Sequence, residues 1–132
     1  MIKKTDFLVI GSGIAGLSYA LKVAEFGKVT IITKKQIQKT NTALAQGGVA
    51  AVFSKMDSFE LHIKDTLSAG DGLCNKQVAK MIVENGPQRI KELVKQGASF
   101  NKEGNDEYDF SLGQEGGHSA KRIVYAHDLT GK

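Results

Sequence analysis

The chain has 132 residues, of which 41% are hydrophobic and 24% are charged. This length and composition predict one soluble globular domain, and no stretch approaches the ~18 consecutive apolar residues of a membrane span. The net charge of +4 is spread thinly, and basic and aromatic residues are not interleaved, so neither a nucleic acid nor a membrane is an expected partner.

Cysteine and histidine indicate neither a disulfide nor a metal site. Cys74 is the single cysteine, so an internal disulfide is excluded and a reducing, cytoplasmic setting fits best. His62, His118 and His127 lack the spacing of metal ligands, and no metal is predicted. The N-terminus lacks the long apolar stretch of a signal peptide.

The beginning of the chain has the pattern strand, glycine turn, helix, strand. Phe7 to Ile10 is a continuous apolar run, which predicts a parallel strand buried on both faces. Apolar residues at helical spacing then predict a helix whose C-cap is Gly27. Residues 28–33 are predicted as the second strand. The predicted fold class is therefore α/β, with a parallel sheet and a βαβ start.

The segment after residue 56 is predicted to be mostly helical. One helix is expected from about Asp57 or Ser58 to Gly70, with apolar residues on one stripe and His62 facing solvent.

Two further helices, a hairpin and a strand follow. Residues 75–86 are predicted as a helix opened by Asn75 as N-cap. Residues 87–97 are predicted as a separate helix, with Pro87 in its first turn and a glycine past its end. Residues 101–109 are interpreted as the tip of a hairpin, and residues 122–126 as a strand.

A glycine turn joins the first strand to the first helix. Its sequence fits the pattern GxGxxG, in which one glycine permits the tight turn, one lets the backbone approach a pyrophosphate, and one lets the helix pack on the sheet. The free N–H groups of the helix N-terminus would bind the phosphates. The predicted cofactor-binding residues of this turn are Gly11, Ser12, Gly13, Ile14, Ala15 and Gly16.

The identity of the nucleotide is left open by the second strand. An NAD site usually places an acidic residue there, about 20 residues after the turn. Here the strand ends in Thr33, Lys34 and Lys35. Lysine disfavours NAD, while NADP and FAD both remain possible.

Three stretches taken together identify a family. They are GSGIAG (11–16), NTALAQGGVAAV (41–52) and EGGHSAKRIVYAHDLTG (115–131). In this order they resemble the L-aspartate oxidases, a branch of the flavoprotein family of succinate dehydrogenase and fumarate reductase. The resemblance runs through essentially all 132 residues. It implies a Rossmann-like FAD-binding domain.

The resemblance also implies roles for single residues. Lys34 matches a lysine near the adenosine part of FAD, which would explain the missing acid. The loop along the flavin is matched by Asn41, Thr42, Ala43, Leu44, Ala45, Gln46, Gly47 and Gly48. The dehydrogenases and fumarate reductases have a covalently linked histidine where Asn41 stands, so dissociable FAD is expected here. Glu115 matches a glutamate near the substrate, and His118 and Ser119 adjoin it.

The implied reaction is FAD-dependent oxidation of L-aspartate to iminoaspartate, with oxygen or fumarate as electron acceptor. It is the first step of NAD biosynthesis, and quinolinate synthase would take the product. The family chain is several times longer, so residues 1–132 are predicted to be the N-terminal part of the FAD-binding domain. The substrate-capping domain and the catalytic residues are expected elsewhere, and this chain alone is expected to be inactive.

Two other functions remain open from the sequence. One is a soluble fumarate reductase or a similar succinate dehydrogenase-like flavoprotein. The other is a non-catalytic module that binds NADP or FAD. Asp128, Thr130 and Gly131 are predicted to cap a following helix, with approach to the flavin as the alternative.

Overall fold

A computed structural model of the chain describes residues 2–37, 39–127 and 129–131. The chain divides into two units, one of Met1–Ala45 with Gly131–Lys132 and one of Gln46–Thr130. We call them unit one and unit two and describe each by itself. Within the described ranges, no helix is long and apolar enough to cross a membrane.

Unit one contains the predicted βαβ start. Strand β1 (Phe7–Ile10), helix α1 (Ile14–Val23) and strand β2 (Val29–Ile32) follow in that order. The two strands are parallel and in register from Phe7 opposite Val29 to Ile10 opposite Ile32. The predicted α/β class with a parallel sheet is confirmed.

Strand β1 is buried on one face only, so the prediction of burial on both faces is wrong. Val9 is 7% exposed, while Leu8 and Ile10 are 56% and 79% exposed. Val9 faces α1, because a Cβ on Gly16 would lie 3.3 Å from its Cγ1. Alternate side chains of a strand point to opposite faces, and the described sheet of unit one has only two strands.

Helix α1 ends earlier than predicted. Its C-cap is Ala24, whose N–H donates to the carbonyl of Ala20, so the expected C-cap at Gly27 is wrong. Gly27 serves packing instead, since a Cβ there would lie 2.9 Å from the Asp6 carboxylate. That carboxylate accepts a hydrogen bond from Lys28 N at 2.8 Å, which ties the start of β2 to the chain before β1.

Unit two contains a three-stranded antiparallel sheet. Its strands are β3 (Val49–Ala50), β4 (Leu112–Gly113) and β5 (Ile123–Val124), with β5 in the middle. The predicted strand at 122–126 is confirmed but is shorter. The predicted hairpin tip is also confirmed, because Lys102 pairs with Phe110 and Glu103 N donates to Asp109 O at 3.0 Å.

Two helices pack together in unit two. Helix α2 (Phe59–Ala69) begins after Ser58, whose Oγ accepts from Leu61 N at 3.1 Å, and its C-cap is Gly70. Helix α3 (Lys76–Lys95) begins after Asn75, whose Oδ1 accepts from two amides of the first turn. These predicted ends are confirmed.

The division of α3 into two helices at Pro87 is wrong. The helix continues through Pro87 because its buried stripe, Ala79, Val83 and Ile90, runs past that position. A proline inside a helix costs roughly 3 kcal/mol, and burial of a large aliphatic side chain is worth about 1.5–3 kcal/mol, so a few such side chains offset it.

The core of unit two lies between α3 and the sheet. Its buried members are Ala51, Ile90, Phe100, Phe110 and Val124. The ring of Phe110 meets Phe53 and Phe100 edge to face, with centroids 4.8 and 5.8 Å apart. This core fixes β5, and the segments directly before and after β5 along the chain carry residues of the candidate site.

Candidate functional site

The glycine turn of unit one has the geometry that a pyrophosphate requires. Gly11 has φ +106°, a conformation that favours glycine. A Cβ on Gly16 would collide with the carbonyl oxygen of Gly11, so only glycine lets α1 lie this close to β1. Ser12 is 3% exposed, and its Oγ lies 3.2 Å from Thr33 Oγ1, which fixes the turn to the end of β2.

Backbone amides at the start of α1 are available to an anion. The first hydrogen bond of the helix runs from Leu17 N to Gly13 O at 3.0 Å, so the amides before it lie outside the intrahelical set. Thr42 Oγ1 accepts from Ile14 N at 3.1 Å. Among the described residues, the amides of Ala15 and Gly16 have no hydrogen-bond partner, and an anion placed there would also meet the positive end of the helix dipole.

The predicted flavin loop belongs to unit one as far as Ala45. A 3₁₀ turn covers Thr42–Leu44, and Asn41 precedes it with an exposed side chain. Gly131 packs on this loop: its N–H donates to Ala45 O at 2.9 Å, and a Cβ on it would collide with the Thr42 carbonyl. Within the described residues, then, Gly131 supports the loop and caps no helix, while Asp128 lies outside them.

A cavity of about 840 Å³ in unit one brings several predicted residues together. Among those lining it are Ser12 and the predicted loop residues Asn41, Thr42, Ala43 and Leu44. Lys35 and Lys39 also line it, while Lys34 does not. Of the predicted glycine turn, Ser12 lines this cavity, while Gly11, Gly13, Ile14, Ala15 and Gly16 do not. The helix amides of the turn and the two ammonium groups of the cavity are together a donor set that suits the phosphates of FAD.

The rest of the predicted loop lies in unit two beside Glu115. A Cβ on Gly47 would lie 2.9 Å from Glu115 Oε1, so this carboxylate reaches the glycine backbone directly. Gly48 has φ +141° and packs against β5, since a Cβ there would lie 2.7 Å from Val124 O. Gln46 is held by Thr130, whose Oγ1 donates to its carbonyl at 3.0 Å.

A second cavity, of about 490 Å³, surrounds the exposed Glu115. Gly47, Asn101, Gly113, Gln114, Ile123, Tyr125 and His127 line it together with Glu115. Glu115 opens a tight turn in which His118 N donates back to Glu115 O at 3.2 Å and Gly117 has φ +83°. His127 is held at φ +49°, with its N–H donating to Asn101 Oδ1 at 3.3 Å.

A buried ion cluster lies behind this turn. Arg122 is fully buried, and its Nε and NH2 donate to the two carboxylate oxygens of Asp57 at 2.8 and 2.7 Å. Its NH1 donates to Asp65 Oδ2 at 2.7 Å and lies 3.2 Å from His118 Nδ1. Because arginine only donates, His118 Nδ1 accepts here, and the proton of the neutral ring is on Nε2.

Protonation in this cluster follows from its contacts. Burial raises the pKa of Asp65, but hydrogen bonds from Ser119 and Arg122 outweigh it and lower that pKa to about 2. Burial lowers the pKa of Arg122, yet its two carboxylate partners raise the net value. Arg122 therefore stays charged and fully paired.

His62 belongs to the same cluster, so its predicted exposure to solvent is wrong. It is 6% exposed, its ring centroid lies 5.9 Å from that of His118, and its buried Nδ1 has no hydrogen-bond partner among the residues that the structure describes. Burial lowers the pKa of His62, and the charge of Arg122 lowers it further. Two of the groups beside it, His118 and Arg122, come from a segment more than 50 residues away, so the local sequence does not predict its burial.

No local signal in the sequence predicts the cluster as a whole. Asp57 precedes helix α2 and Asp65 lies within it, whereas Arg122 is 65 residues from Asp57 along the chain. Only the register of β5 brings the arginine to them. Within the described part of the chain, no group of three or more His, Cys, Asp or Glu side chains is arranged to hold a metal ion.

Curated proteins similar to this chain are named L-aspartate oxidase. A chloroplastic enzyme of Nicotiana tabacum is 51% identical over 96% of this chain and 19% of its own length. A Vibrio cholerae enzyme is 47% identical over 96% of this chain and 24% of its own. The chain thus spans about a fifth to a quarter of the length of these relatives.

Solved structures give the same picture of the fold. The E. coli quinol fumarate reductase FrdA matches with a TM-score of 0.86 and 32% identity, over 96% of this chain and 22% of its own. A flavocytochrome c3 fumarate reductase matches with a TM-score of 0.81 and 23% identity, over 96% of this chain and 23% of its own, which supports the fold alone. The family model described as FAD binding domain matches residues 6–132. These matches indicate FAD as the cofactor, and the chain belongs to the FAD binding domain family of flavoproteins that includes the L-aspartate oxidases.

Proposed function

We propose that this chain forms the first part of the FAD-binding domain of an L-aspartate oxidase. The observation that carries the proposal is the approach of Glu115 to Gly47, where a Cβ would lie 2.9 Å from the carboxylate. An acidic group at the glycine pair of the predicted flavin loop suits a substrate that carries an ammonium group. When bound, FAD supplies the hydride acceptor for the oxidation of aspartate to iminoaspartate.

The residues of this chain have two tasks in the proposal. The amides of Ala15 and Gly16 bind the FAD pyrophosphate, with Lys35 and Lys39 adding positive charge at the cavity that Ser12 of the same turn lines. Glu115 pairs with the substrate ammonium and so orients the Cα–H bond. The hydride and proton transfers need further groups, which we place, with the substrate-capping domain, in parts of the enzyme outside residues 1–132.

The product of the proposed reaction indicates the pathway of the enzyme, and the cysteine content of the chain indicates its compartment. Iminoaspartate would be consumed by quinolinate synthase in NAD biosynthesis, and oxygen or fumarate would reoxidise the flavin. The single cysteine fits a reducing compartment, so the cytoplasm is proposed for this chain. The Nicotiana tabacum relative is named chloroplastic, which makes an organelle the alternative.

The test uses a chimera in which this chain replaces the aligned 129-residue segment of the Vibrio cholerae relative. The chimera should bind FAD and oxidise aspartate, while the 132-residue chain alone should show no aspartate oxidation even with excess FAD. Glu115→Gln keeps the shape of the side chain and removes its charge. Because a charge-assisted hydrogen bond is worth about 1.5–3 kcal/mol, kcat/KM for aspartate should fall by about ten- to a hundredfold.

Fumarate provides the internal comparison, because it has no ammonium group. Glu115→Gln should change fumarate reduction much less than aspartate oxidation. The matched control is Glu103→Gln, an exposed glutamate at the hairpin tip of the same unit. Equal losses for both substrates would show that Glu115 supports the loop and does not read the ammonium.

A fumarate reductase is the second candidate, favoured by the TM-score of 0.86 to the E. coli enzyme. It would reduce fumarate without oxidising aspartate. Loss of the yellow flavin colour on addition of aspartate to the anaerobic chimera separates the two functions. Flavin binding without any response to either substrate would favour the non-catalytic module.

A further inference from the structure

The turn that carries Glu115 is anchored at both of its ends. At one end, Arg122 N donates to Gly113 O at 3.0 Å, which joins the turn to β4 and β5. At the other end, Ser119 donates twice to Asp65 Oδ2, from its amide at 2.9 Å and from its hydroxyl at 2.7 Å. The intervening segment contains Gly116 and Gly117, so its conformation depends on these anchors.

The Asp65 anchor is itself fixed from behind. The oxygen that accepts from Ser119 also accepts from Arg122 NH1 at 2.7 Å. Arg122 is in turn held by Asp57, and the side chains of both are 0% exposed. Two carboxylates face one guanidinium, so the cluster without its histidines has a net charge of −1. Because the two carboxylates share a single guanidinium, Asp65 keeps acceptor capacity for strong hydrogen bonds from the Ser119 amide and hydroxyl.

We propose that Asp65 is a positioning residue: through its hydrogen bonds to Ser119, it sets where the Glu115 carboxylate meets the substrate. Arg122 and Asp57 hold Asp65 in place for this role. The inference rests on the proposed function of Glu115. Glu115 is exposed and belongs to a glycine-rich turn, so an unanchored turn would sample many conformations. Fixing the turn removes that entropy before the substrate binds. His118, which accepts from the same guanidinium, is held in the same arrangement.

Ser119→Ala is the most direct test, because Ser119 is exposed and its loss leaves no buried group without a partner. In the chimera, the variant should lower kcat/KM for aspartate by about tenfold, the factor expected for one charge-assisted hydrogen bond. Ser119→Thr retains the hydroxyl and should restore activity to within about twofold of the parent. Ser68→Ala, an exposed serine of α2, is the control.

A double-mutant cycle separates positioning from mere support. If Asp65 and Ser119 act through Glu115, then Ser119→Ala should have little further effect in a Glu115→Gln background. The FAD content of all variants should stay the same. Additive losses, or a loss of FAD in proportion to activity, would overturn the inference. If Glu115→Gln alone is silent, the proposed role of Glu115 fails and the inference fails with it.

A second measurement needs no activity. On the 132-residue chain, NMR relaxation should show faster motion of the amides of residues 115–118 in Ser119→Ala and in Asp65→Asn than in the parent. The amides of α3 should be unchanged. Unaltered motion of the turn in both variants would overturn the inference independently of the enzyme assay.

Discussion

Asp57→Asn should destabilise unit two by about 3 kcal/mol. The substitution removes a buried charge and turns one of the two carboxylate oxygens facing Arg122 into an N–H donor. Breaking a buried ion pair by altering one partner costs roughly 3–5 kcal/mol. The two contacts, at 2.7 and 2.8 Å, are short enough for charge-assisted hydrogen bonds of about 1.5–3 kcal/mol each. Arg122 keeps Asp65, which places the expected loss near the lower end of the range.

Urea unfolding followed by circular dichroism at ~222 nm measures this loss, because helices α2 and α3 dominate the signal. With a urea dependence of about 1–3 kcal/mol per molar, the midpoint should fall by about 1–3 M. Glu84→Gln is the matched control: its partner Lys80 is 3.8 Å away and both side chains are well exposed, so the loss should stay below about 1 kcal/mol. If the two variants have the same midpoint, the buried cluster does not stabilise the fold as argued.

Three further predictions concern acid, packing and flavin attachment. Because the folded-state pKa values of His62 and Asp65 are both lowered, the unfolded chain binds more protons than the folded chain as the pH falls. The free energy of unfolding should therefore fall below pH ~6.5, through His62, and again between about pH 4 and 2, through Asp65. Asp65→Asn should remove the second step from a series of urea midpoints measured against pH. Gly131→Ala should weaken FAD binding by about tenfold in flavin fluorescence titrations, because the new Cβ displaces the Thr42 carbonyl. The control Gly86→Ala should leave FAD binding unchanged, because its Cβ would lie 3.6 Å from Ala51 Cβ, an ordinary contact distance. Acid precipitation of the FAD-loaded chimera should leave FAD in the supernatant, since the Asn41 amide forms no covalent link; a yellow pellet would contradict this.

Local signals in the sequence are sufficient for the order and type of the elements in unit one. The glycine turn and its flanking apolar runs are short-range features, and the strand, helix and strand that they predict are present. Prediction was wrong where tertiary packing outweighs a local signal. Pro87 usually marks a helix start, but the buried stripe of α3 continues past it.

The candidate site was only partly predictable for the same reason. A family resemblance predicts roles for Gly47 and Glu115, but their contact depends on a fold that no spacing in the sequence indicates. The local sequence predicts His62 in solvent, because Arg122 and His118, which lie beside it in the fold, are far away in sequence. Long-range pairing of charges has no periodicity that a reader of the sequence could detect.

The parallel strands β1 and β2 of unit one leave apolar side chains exposed, and this has a consequence for handling the protein. Leu8, Ile10 and Ile32 are 56%, 79% and 46% exposed, next to strand edges that have no partner within the described residues. Unpaired backbone groups beside apolar side chains are where intermolecular sheets grow. The colloidal behaviour of the isolated chain is therefore governed by these few side chains more than by its net charge of +4. Salt, which screens that charge, should promote association, and lysine at position 8 or 10 should suppress it.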